Sequence, residues 1–101
     1  MNGRLEPGGN APAEGEREAL LATARGFTVE QILSGQLVTA QDYVQDHDEW
    51  VVVLAGGAEL EVDGVAYELT AGDWWLLPAG TRHRLVHTER ETSWLAVRST
   101  S

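Results

Sequence analysis

From Phe27 to Arg98 the chain is a succession of short apolar or alternating runs, each closed by turn residues, with no gap long enough for a crossover helix. Such punctuation argues for an all-β sandwich or barrel and against an α/β fold. The runs are Phe27 to Leu33, Gln36 to Val44, Trp50 to Leu54, Ala58 to Val62, Val65 to Leu69, Trp74 to Leu77, Arg82 to His87 and Trp94 to Arg98. Trp50 to Leu54 is continuously apolar, which predicts a strand buried on both faces. Ala58 to Val62 alternates, with Ala58, Leu60 and Val62 on one side and Glu59 and Glu61 on the other. Asp63-Gly64 joins it to the next run; both central residues of a type I′ turn need positive φ, so this dipeptide predicts a tight hairpin.

Ahead of Phe27 the pattern differs. Residues 1–15 are rich in Gly, Pro, Ala and Asn without periodicity, and read as a disordered or loosely docked tail. Glu16 to Ala24 holds good helix formers, which predicts a short helix within residues 16–26, ending near Gly26. The expected organisation is therefore a tail over 1–15 and one barrel domain over 16–101. A length of 101 residues suits a single domain.

Sixteen acids stand against seven arginines, a formal charge of −9 that repels phosphate backbones and anionic lipid. Nucleic acid and membrane partners are not expected. No run approaches the roughly 20 apolar residues of a bilayer span, and residues 1–10 lack the apolar stretch of a secretory signal. With no cysteine to form disulfides, the expected setting is the cytoplasm.

One stretch carries a specific signal. Gly72, Pro78, Gly80 and His83 fit the spacing G-x5-P-x-G-x2-H, in which a turn, an apolar strand and a second turn deliver a histidine to the start of the next strand. Glu49 and Gly56 fit E-x6-G. Together these resemble the two signatures of the cupin family, and the resemblance runs from Phe27 to the C-terminus, closest to small bacterial single-domain members. It implies a jelly-roll barrel (a double-stranded β-helix) with a pocket in its mouth. Metal-binding cupins hold a divalent metal there with three histidines and a glutamate. Carried over by position, Glu49 and His83 match that set. Tyr43 and Gln45 stand where the other two histidines would be, Leu37 replaces a glycine, and His87 replaces the final asparagine of the second signature.

The residues themselves leave the metal open. His47 and Glu49 would lie on one face of an extended chain, about 6.6 Å apart. With His83 they make a candidate set for one divalent transition metal, zinc, iron, manganese or nickel. Against this, His47 sits between two aspartates in a turn, where solvent-facing histidines are common. Glu49 is equally readable as a buried acceptor for an arginine, Arg82 or Arg84. Alternation carries Leu85 and His87 to the side of His83, with His87 about 13 Å farther along the strand. It is a pocket wall rather than a co-ligand. The candidate pocket is thus Tyr43, Gln45, Glu49, His83, Leu85 and His87. Adjacent Trp74 and Trp75 must face opposite ways, the outer one packing under the N-terminal segment or in a dimer contact.

Three functions remain: a small-molecule-binding monocupin with metal absent or weakly held, a metal-dependent dioxygenase or isomerase using Glu49 and His83, and a non-catalytic accessory protein. The open sheet edges of a jelly roll predict a homodimer.

Overall fold

The computed structural model describes residues 1–37 and 39–100. Among the described residues, a 3-10 turn at Gly8–Asn10 is followed by nine strands: β1 Glu16–Ala24, β2 Phe27–Ser34, β3 Gln41–Tyr43, β4 Glu49–Ala55, β5 Gly57–Val62, β6 Val65–Thr70, β7 Trp74–Leu77, β8 His83–Thr88 and β9 Thr92–Ser99. They form two sheets, in the orders β1-β2-β9-β4-β7 and β3-β8-β5-β6. Every pairing between these strands is antiparallel. This is the jelly-roll barrel that the punctuation and the signatures implied.

The core lies between the sheets. Val51 and Val53 of β4, Leu60 and Val62 of β5, Leu77 of β7, Leu85 of β8 and Trp94 and Ala96 of β9 are all buried there. Each fully buried aliphatic side chain contributes about 1.5–3 kcal/mol, so this layer is what closes the barrel. The alternation read in β5 holds, with Ala58, Leu60 and Val62 inward. The expectation for Trp50 to Leu54 does not. Only Val51 and Val53 are buried; Trp50 and Val52 are partly covered and Leu54 is exposed, because no layer packs on the outer face of this part of the sheet. Trp75 packs against the core, while its neighbour Trp74 is 60% exposed.

Two turns show why the sequence bends where it does. Asp63 and Gly64 have φ of 48° and 83°, the paired positive values of the tight hairpin that Asp-Gly favours. At Gly56, φ is 84°, and a Cβ would come within 2.5 Å of Thr92 Oγ1. The glycine of the E-x6-G spacing therefore answers a steric demand from β9.

The N-terminal region departs from the helix expected within residues 16–26. Glu16–Ala24 is an edge strand, paired with β2 from Glu16↔Ser34 to Ala24↔Phe27 across a turn at Arg25-Gly26. A helix of that length is marginal alone, and pairing with a neighbouring strand outweighs the propensity of its residues. Residues 1–15 dock on the outer face of β2 and β9. The Glu6 backbone N–H donates to Gln31 Oε1 at 2.8 Å, and Gln31 Nε2 donates back to the Glu6 carbonyl at 2.9 Å. Gln31 and Leu33, on this outer face, are 1% and 0% exposed. The segment that covers an outer sheet face is thus this one, and it lies over Gln31 and Leu33, not over Trp74.

Candidate functional site

One cavity of about 70 Å³ opens between the sheets, room for several waters or the polar end of a small organic molecule. Its inner wall is apolar, formed by residues such as Val51, Leu60, Leu77 and Trp94. Its mouth is polar: Glu16 and Glu18 of β1, Tyr43 of β3, Gln45, Glu49 of β4, His83 of β8 and Arg98 of β9.

Strand register brings these groups together. His83 pairs with Tyr43 across β8 and β3, and their rings stack at 5.5 Å and 16°. Glu49 pairs with Arg98 across β4 and β9. Both side chains point inward, since Arg98 alternates with the buried Trp94 and Ala96. Arg98 Nε lies 2.7 Å from Glu49 Oε2, Arg98 Nη1 2.7 Å from Glu30 Oε1, and Arg98 Nη2 3.8 Å from Glu18 Oε1. Burial alone would lower the Arg98 pKa, but the hydrogen bond it donates to Glu49 and the charges of Glu49, Glu30 and Glu18 raise it, so the guanidinium is a fixed cation.

Glu16 accepts a hydrogen bond from Ser34 Oγ at 2.8 Å, and Ser34 Oγ in turn accepts from Trp94 Nε1 at 3.1 Å. Tyr43 Oη faces two acceptors that share its one proton, Gln41 Oε1 at 2.8 Å and Glu16 Oε1 at 3.4 Å. Burial pushes the Glu16 carboxyl above the ordinary carboxylate range, and the charges of Glu18 and Glu49 add to the rise, against the hydrogen bonds from Ser34 and Tyr43. Burial also pushes the Tyr43 phenol up to about 12, helped by the Glu16 charge. It stays protonated at neutral pH and does not offer a phenolate.

His83 Nδ1 lies 3.1 Å from the Thr81 carbonyl oxygen. A carbonyl only accepts, so Nδ1 carries a proton, and in the Nδ1–H tautomer Nε2 is an acceptor. Gln45 Oε1 is buried without a hydrogen-bond partner.

Of the residues expected to line the pocket, Tyr43, Gln45, Glu49, His83 and Leu85 do so. His87 does not. The pairing of β5 with β8 shifts between Glu59 and Leu60, so that Glu59 faces His87 while Leu60 faces Leu85. The extra residue, Val86, breaks the alternation and turns His87 to solvent. His47 lies in the loop before β4, with Nδ1 3.4 Å from Asp46 Oδ1, and does not line the cavity. Nor do Arg82 or Arg84 meet Glu49: Arg84 Nε bonds Asp42 Oδ1 at 2.7 Å on the outside of the sheet. The arginine for Glu49 is Arg98. Glu16, Glu18 and Arg98 were absent from the sequence-based set, although the inward alternation of Trp94, Ala96 and Arg98 would have pointed to the last of them.

The fit of a metal can be judged from the donors. Among the described residues no three His, Cys, Asp or Glu side chains converge as a metal site. The carboxylate of the E-x6-G spacing, Glu49, is already held by a guanidinium that repels a second cation. His83 Nε2, Gln45 Oε1 and the Glu16 carboxylate, itself bonded by Ser34 Oγ, do not reproduce a three-histidine, one-carboxylate set. These residues do not fit a tightly bound divalent transition metal.

Comparison with known proteins places the geometry. Residues 29–98 match the model of the cupin domain family. A protein from Ralstonia eutropha JMP134 with the provisional name mannose-6-phosphate isomerase is 32% identical, over 91% of this chain and 93% of that one, with a TM-score of 0.76. KdgF from a Halomonas species is 20% identical over 86% and 80%, with a TM-score of 0.74. An RmlC-like cupin from Shewanella frigidimarina is 20% identical over 99% and 93%, with a TM-score of 0.69. No curated protein matches the chain significantly.

Proposed function

The chain belongs to the cupin family, and on that premise we propose that it is a small-molecule-binding monocupin whose barrel pocket works without a tightly held metal. The observation that carries this reading is the 2.7 Å contact between Arg98 Nε and Glu49 Oε2. The guanidinium takes the carboxylate that a metal would need and supplies a permanent positive charge in its place. What remains is a small cavity with an apolar wall and a few convergent polar groups, the usual form of a ligand site.

The name of the Ralstonia relative raises a second reading, an isomerase acting on a sugar phosphate. The cavity disfavours it. Its fixed cation, Arg98, is committed to three carboxylates, which leaves it little charge for a phosphate. The third reading, an accessory protein without a ligand of its own, leaves the pocket unused. A homodimer and a cytoplasmic setting belong to the same proposal. The first is supported by the exposed apolar outer face of β4 and β7, the second by the absence of cysteine.

Elemental analysis of the purified protein, with mass spectrometry of small molecules released on denaturation, tests the proposal. Metal well below one equivalent together with a retained organic ligand is expected. About one equivalent of metal, lost in Glu49→Ala or His83→Ala, would overturn it in favour of a metalloenzyme.

A further inference from the structure

Resting on the reading of the barrel as a ligand pocket, we propose that the pocket takes a small organic ammonium ion, seated against Glu16 with its N–H groups donating to His83 Nε2 and Gln45 Oε1.

The argument is one of unmet partners. Three glutamates line the polar mouth, Glu16, Glu18 and Glu49, and Glu30 joins them through Arg98. Arg98 reaches Glu49, Glu30 and Glu18 at 2.7, 2.7 and 3.8 Å. Glu16 lines the same cavity and has no basic side chain within ion-pair distance among the described residues; its partners are the hydroxyls of Ser34 and Tyr43. A half-buried carboxylate without a counter-cation is costly, and its charge invites a cation.

The acceptor inventory agrees. His83 is 8% exposed and lines the cavity. With Nδ1 committed to Thr81, its Nε2 lone pair has no partner among the described residues. Gln45 Oε1 is buried and equally unpartnered. Two acceptors and one uncompensated carboxylate call for a ligand that brings both positive charge and several N–H donors. A primary ammonium group does so. A carboxylate or phosphate brings neither, and a hydroxyl brings donors without charge. The apolar wall beyond, with Val51, Leu77 and Leu85, suits a short hydrocarbon tail.

Glu16 sits on β1, ahead of the matched family segment 29–98, so this specificity is written in the part of the chain that the family signatures do not read. Burial holds the Glu16 carboxyl towards its protonated form. Glu18 and Glu49 face it with negative charge, Tyr43 and Ser34 with hydroxyls, and Arg98, Glu30 and His83 complete the surroundings. An arriving ammonium ion favours the ionised form of Glu16 and so works against the rise that burial imposes.

Three nearly isosteric probes test the inference: n-propylammonium chloride, 1-propanol and sodium propionate, titrated at constant ionic strength. The reporter is the Trp94 indole N–H in a proton–nitrogen NMR spectrum, since that group bonds Ser34 Oγ, which bonds Glu16. A saturable shift with propylammonium, at least tenfold tighter than with the other two, is expected, weakening at least tenfold in Glu16→Gln. The wild-type comparison stands alone if that variant fails to fold. Binding of propanol or propionate as tight as propylammonium would overturn the ammonium assignment while leaving the ligand pocket intact. No saturable shift with any probe would overturn both.

Discussion

Arg98 and Glu49 face each other across β9 and β4 with Nε and Oε2 2.7 Å apart, and this pair sits where the family signatures would place a metal-binding carboxylate. Glu49 is 5% exposed, so the pair is largely shielded from water.

Arg98→Met leaves three carboxylates facing one another without a counter-charge. Loss of about 3 kcal/mol is expected, the low end of the roughly 3–5 kcal/mol for breaking a buried ion pair by removing one partner, since Glu18 is half exposed. Urea denaturation measures it. Adding Glu49→Gln to the Arg98→Met chain removes the stranded charge and is expected to recover part of the loss; a double variant weaker than the single one would contradict the pairing.

Glu16 gives a pH signature. Its carboxyl is raised from the ordinary 4.5 by burial, so between that value and the raised one the folded chain binds more protons than the unfolded chain. The contribution of this site to stability therefore falls as pH rises through that window, the reverse of a salt-bridged carboxylate. Glu16→Gln removes the titration. Its Tm relative to the wild type is expected to be higher at about pH 8 than at about pH 4, and a difference of opposite slope in thermal scans would contradict the assignment.

The barrel was legible in the sequence because its determinants are local. Asp63-Gly64 dictates a hairpin by its φ values, Gly56 by the space Thr92 leaves, and the Pro78-Ala79-Gly80 turn sets His83 at the start of β8. The site was legible only in part, because its remaining members depend on pairing between distant strands. Arg98 meets Glu49 through a register fixed 49 residues away in sequence. Glu16 and Glu18 reach the cavity because helix-forming residues are recruited as an edge strand. His87 leaves it because a bulge at Val86 reverses the alternation, and no residue in that run announces the bulge.

The clasp between Glu6 and Gln31 ties the N-terminal segment to the barrel with two hydrogen bonds, at 2.8 and 2.9 Å. Gln31→Ala strands the Glu6 backbone groups and loses the bond to Ser93 Oγ. A cost of about 1–3 kcal/mol is expected, with faster proteolysis within residues 1–15 as the readout. Unchanged cleavage would mean that the clasp does not hold the segment.

On the outer face, Trp74 and Leu76 of β7 are 60% and 54% exposed, and the Trp50 ring lies 6.2 Å from that of Trp74, tilted by 35°. A contiguous apolar strip of this kind marks an association surface. Light scattering is expected to show a homodimer that becomes monomeric in Trp74→Lys/Leu76→Glu; a wild-type monomer at high concentration would contradict it.

The proposal that Arg98 takes the place of a metal is tested most directly by calorimetric titration of metal-stripped protein with Mn²⁺ and Zn²⁺ at neutral pH. No saturable one-to-one binding in the micromolar range is expected for either ion. A one-equivalent micromolar isotherm that disappears in His83→Ala would show that the pocket is a metal centre after all.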